Sequence, residues 1–84
     1  VRLKQVSKTK RKKKIAAAIY EYQVDCDGEW GEISLNFENS TAEIIRLAGW
    51  DTMKTNRFAN KAIAYLLNCE NEKLPKETMV AFEP

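Results

Sequence analysis

Histidine is missing from all 84 residues. Its absence removes the commonest general base near neutral pH and the commonest metal ligand, which weighs against an enzyme. Also missing are a Gly-Ser-Gly nucleophile elbow, a phosphate-binding glycine loop and a Cys-x-x-Cys pair, so nothing marks a nucleotide or redox cofactor site. Two cysteines, Cys26 and Cys69, are too few for the disulfide framework of a small secreted domain. A reduced, cytoplasmic protein is expected, or a nuclear one if the source is eukaryotic. Long apolar runs are lacking as well. Ile15–Tyr20 is six residues long before Glu21 ends it, short of a signal peptide's apolar region and far short of the ~18 residues that span a membrane.

Acidic residues are absent from one end. Residues 1–14 carry eight basic side chains and no acid, whereas residues 15–84 carry six basic and twelve acidic ones, so a segment of +8 precedes a body of −6. Six of the seven residues from Lys8 to Lys14 are Lys or Arg. Charge that dense favours an arm disordered when free, although Val1, Leu3 and Val6 alternate with polar residues and admit a short strand before it. With the arm set apart, the remaining ~70 residues sit near the practical minimum for a core, so a homodimer or bound partner would add needed stability.

From Ile15 onward the apolar pattern has period 2. Ala16, Ala18, Tyr20, Tyr22, Val24 and Cys26 fall on one side of a strand, and Glu21, Gln23 and Asp25 on the other. Asp27-Gly28 suits a two-residue type I′ turn, pairing Tyr22 with Ile33, Tyr20 with Leu35 and Ala18 with Phe37. Ser40 and Glu43 have capping-box spacing, which predicts a helix from Thr41 that stops at Gly49. A second helix is predicted from Asp51 or Thr55 to Cys69, with Arg57, Asn60, Lys61 and Asn68 on its wet face. Pro75 blocks further helix, and Thr78–Phe82 reads as a closing strand. The expected fold is a small two-layer α+β domain, β-β-α-α-β: an antiparallel hairpin covered by two helices, with a disordered basic arm over residues 1–14.

The basic run carries the sharpest functional signal. Lys8, Lys10, Arg11, Lys12, Lys13 and Lys14 would displace condensed counterions from a polyanion, which points to non-enzymatic, electrostatic binding of DNA or RNA. Arg57, Lys61 and Trp30 are candidates for added contacts from the body, Trp30 by stacking. Tyr20 and Tyr22 form a core rather than a stacking platform, because apolar residues oppose them. Ile44, Ala48, Gly49, Trp50 and Phe58 loosely match helix-turn-helix spacing.

An alternative is a small inhibitor or assembly factor that meets a basic protein surface through an acidic hairpin tip, Asp25, Asp27, Glu29 and Glu32, with Trp30. Those acids resemble the opening of a calcium loop, but the remainder of the loop is absent and no metal is expected. Deleting residues 1–14 should abolish activity under the first reading and spare it under the second.

Overall fold

Successive side chains of a strand point to opposite faces, so consecutive lysines in a strand are held farther apart than in a random chain. Same-face neighbours stand ~7 Å apart. Two unit charges at that distance repel in water by only ~0.6 kcal/mol, and less in salt. A strand partner can outweigh such a cost, and here one does. The computed structural model describes residues 1–24, 28–49 and 57–80. In it the basic segment is not a disordered arm but strand β1, Arg2–Arg11, paired antiparallel with β2, Lys14–Gln23.

The chain continues through β3 (Gly31–Asn36), β4 (Thr41–Arg46), helix α1 (Arg57–Asn68), a short 3-10 turn at Asn71–Lys73 and β5 (Glu77–Met79). The strands form one antiparallel sheet in the order β4-β3-β2-β1-β5. The expected β-β-α-α-β domain with two helices is therefore corrected to a five-stranded sheet and one described helix. The closing strand finds its place beside β1, where Val80 N–H donates to the Val1 carbonyl at 2.8 Å.

One face of the sheet is covered. Leu3, Ala18, Tyr20, Tyr22, Ile33 and Leu35 join Ala48 and the helix residues Ala59, Ala62 and Leu66 in a single buried cluster. The helix residues recur at i, i+3 and i+7, the spacing of one helical face. The other face mixes polar side chains with the half-buried Ala17 and Ile19. One cross-strand row runs Glu77, Lys4, Glu21, Glu32, Arg46, placing the like-charged pair Glu21 and Glu32 between two cations. Opposite-charge neighbours across strands are favourable and like charges are not, so Lys4 and Arg46 offset the central repulsion.

The helix expected from Thr41 is strand β4 instead. The Asn36 side-chain oxygen accepts N–H groups from Glu38 and Asn39, and Ser40 adopts φ 55°, so the chain reverses tightly rather than entering a helix. Ile44 then faces Ile33 and Ala42 faces Leu35. Ile44 and Ile45 are β-branched and suit this extended setting. The Ser40/Glu43 spacing is common to helix caps and turns; here pairing with β3 decides between them.

The β2–β3 register is also corrected, by two residues. Tyr22 stands opposite Gly31, Tyr20 opposite Ile33 and Ala18 opposite Leu35. A two-residue shift keeps every side chain on its face, which is why face matching did not reveal it. Gly31 explains the choice: a Cβ there would lie 2.4 Å from both the Tyr22 ring and the Ala48 backbone nitrogen. The Tyr22 ring lies across the glycine, and its hydroxyl accepts Ala48 N–H at 3.0 Å. The turn expected at Asp27-Gly28 begins outside the described residues.

Gly31→Ala therefore overpacks a buried contact rather than filling space. It should destabilise the fold by about 2 kcal/mol or more, measured by chemical denaturation. A loss below ~0.5 kcal/mol would contradict this account of the register.

Candidate functional site

The lysine run forms the tip of the β1–β2 hairpin. Arg11 pairs with Lys14, and the two residues between them, Lys12 and Lys13, have φ 52° and 68°. Two successive positive φ values are the signature of a type I′ turn, which usually takes Asn-Gly. Lysine at both positions costs local conformational energy and places two cations at the apex. Bulges interrupt the β1–β2 ladder between Gln5 and Ser7 and between Thr9 and Lys10, and bulges increase a strand pair's local twist.

Alternation along the two strands divides the charge between the faces of this ribbon. Lys10 and Ile15 form one cross-strand pair, and the adjacent pair, Arg11 and Lys14, faces the other way. Two clefts flank the hairpin accordingly. One, of about 230 Å³, is lined by Lys8, Lys10, Lys13 and Lys76 with Gln5 and Glu72. The other, of about 360 Å³, is lined by Arg11, Lys12 and Lys14 with Phe37 and Glu38. Ile15 and Asn71 border both.

Asn71 is the hinge of this arrangement. Its side-chain oxygen accepts Ile15 N–H and its amide nitrogen donates to the Ile15 carbonyl, each at 2.8 Å. A side-chain amide thus extends the ladder of β2 just past the end of β3. Nearby, Tyr20 donates its hydroxyl proton to the Pro75 carbonyl and accepts from the Gln5 amide at 3.1 Å. Gln5 N–H donates to the Lys76 carbonyl at 2.8 Å. These bonds bring Lys76, sixty-two residues after Lys14, to the wall of the first cleft. Burial pushes the Tyr20 hydroxyl above its ordinary pKa, so it stays a neutral donor at physiological pH.

Charge compensation near the tip is sparse. Arg11 lies 3.3 Å from Glu38, an exposed pair, and Glu72 lines the first cleft. Among the described residues no group of His, Cys, Asp and Glu could hold a metal ion, and no helix is long and apolar enough to cross a membrane.

No known protein family, curated protein or solved structure matches the chain.

The remaining sequence candidates do not gather at the hairpin. Trp30 is half-buried beside Arg2, whose guanidinium carbon lies 5.9 Å from the ring centre, and its carbonyl accepts from the Arg46 side chain at 3.1 Å. Arg2 begins β1 and Arg11 ends it, so the tryptophan sits roughly 30 Å from the turn at ~3.3 Å per residue. Arg57 and Lys61 lie on α1 and line neither cleft. Arg57 instead stands 5.9 Å over the Phe58 ring.

The acidic candidates also separate. Glu29 is exposed ahead of β3, whereas Glu32 stands within the cross-strand row of the open face. Asp25, Asp27 and Trp50, with the expected start of the second helix, lie outside the described residues. Lys76 is the site residue that sequence reasoning missed. No local motif marks it; only the Pro75 and Lys76 carbonyl contacts reveal its position.

Replacing Lys12-Lys13 by Asn-Gly should raise stability by about 1 kcal/mol, because the turn no longer strains two lysines. Thermal unfolding would detect the gain. A lowered Tm would contradict the turn described.

Proposed function

We propose that this chain is a non-enzymatic accessory protein that binds nucleic acid electrostatically through its β1–β2 hairpin. The observation carrying this reading is the shared position of Lys8, Lys10, Arg11, Lys12, Lys13 and Lys14 in one ordered ribbon, joined by Lys76. A rigid array has already lost much of the freedom that a disordered arm must give up on binding. Lysines also prevent edge-to-edge aggregation along the part of β1 beyond Lys4, which β5 does not pair. That protective role accounts for one or two charges along β1, but not for four successive ones from Arg11 through a strained turn.

The acidic body supports an orientation. With −6 spread over residues 15–84, phosphate is repelled from the body as a whole and attracted to the hairpin, so the molecule would meet a polyanion tip first. The partner is recognised by phosphate spacing more than by base identity, since lysine contacts to the backbone position a protein without specifying sequence.

Deleting residues 1–14 is not a usable test, because it strips a central strand and exposes the flank of β2. Charge substitution in the intact chain is. Fluorescence anisotropy with duplex DNA, from about 50 to 200 mM salt, should give a slope of log K against log salt near −5, as about six phosphate contacts require. Glu38→Gln should tighten binding by up to about fivefold, the equivalent of releasing Arg11 from one exposed ion pair. A slope near zero on duplex DNA, single strands and RNA alike would remove the proposal.

A further inference from the structure

The basic ribbon is charged on both faces and at its apex. A protein that lies on a flat polyanion needs cations on one face only. Here Lys8, Lys10 and Lys13 line a cleft with Lys76 on one side, and Arg11, Lys12 and Lys14 line a separate cleft on the other. Strand alternation sets Lys8 and Lys10 on one face and Arg11 and Lys14 on the other, while Lys12 and Lys13 stand at the turn between them. The counterpart of a ribbon positive on both sides is a channel negative on both sides.

Duplex DNA has such a channel. Its major groove, about 12 Å wide and 8.5 Å deep, admits a two-stranded β-ribbon between two phosphate backbones. Past the Asn71–Ile15 clamp the hairpin extends one strand residue on each side, Arg11 and Lys14, closed by the two-residue turn Lys12-Lys13. One strand residue rises ~3.3 Å, and the turn with its extended lysine side chains reaches further toward the floor of a groove about 8.5 Å deep. The major groove of duplex RNA is too narrow for side chains to read, and a single strand offers no second wall.

Resting on the proposed nucleic-acid binding, we infer that the hairpin tip inserts into the DNA major groove, with its two lysine-bearing faces contacting opposite phosphate backbones. The Asn71–Ile15 clamp then acts as a depth stop.

Two arms test the insertion. The first uses the unaltered protein and compares a plain 20-base-pair duplex with one whose pyrimidines carry bulky C5 substituents, which project into the major groove. Binding should weaken about tenfold or more, because the charges no longer reach both backbones. The second compares Lys8/Lys10/Lys13→Ala with Arg11/Lys12/Lys14→Ala, each checked by circular dichroism. Each triple variant should flatten the salt slope by about 2 to 3. Equal affinity for the two duplexes overturns the insertion, as does a slope that only one triple variant alters, or preference for single strands. In all those outcomes a steep slope for the unaltered protein leaves the electrostatic reading standing, whereas no binding to plain DNA or RNA ends both.

Discussion

Leu3, fully buried, packs opposite Tyr22 on the covered side of the sheet, and this contact commits the segment before the lysine run to β2. Without it the ten residues of β1 would hold only charged and polar side chains apart from Val6, which is half exposed. Burying a leucine is worth roughly 1.5–3 kcal/mol, several times the screened repulsion between same-face lysines. One apolar anchor, together with the backbone ladder, thereby orders a stretch that composition assigns to a free tail. β5 depends on the same anchor, since Thr78 pairs with Leu3 and, among the described residues, has no other strand beside it.

Ordering changes what the charges can do. A flexible arm wraps any polyanion and carries little geometric information. A hairpin with cations on two faces would, on the proposed reading, suit a surface with phosphate on both sides. The hydrogen bonds of Asn71 and Tyr20 extend this organisation to the segment after α1, adding Lys76 to one face. These polar bonds link distant parts of the chain beside Ile15 and Leu74, which pack against the small apolar core.

Much of the sheet's centre was legible in the sequence. The period-2 pattern of Ala16, Ala18, Tyr20 and Tyr22 identified the buried face of β2, and all four are buried. The apolar face of α1 was legible for the same reason. What misled was local and physical. Net charge counted against β1, although alternation relieves the repulsion. Ser40 and Glu43 matched a helix cap, although pairing with β3 settles the backbone. The register of β3 depended on Gly31 making room for an aromatic ring, a contact that pattern matching does not weigh. Of the site, the six basic residues from Lys8 to Lys14 were legible as a cluster, but not their division between two faces. Arg57 and Lys61 were grouped with them from the wet face of the predicted helix and Trp30 as a stacking residue, and the fold disperses them.

The basic segment is an ordered ribbon before any partner arrives. Nuclear Overhauser contacts measured by NMR on the free protein at physiological salt test it directly. Backbone proton contacts between Thr9 and Ala17 and between Arg11 and Lys14 are expected, as their cross-strand pairing requires. Random-coil shifts from Lys8 to Lys14, with no cross-strand contacts until nucleic acid is added, would contradict the account.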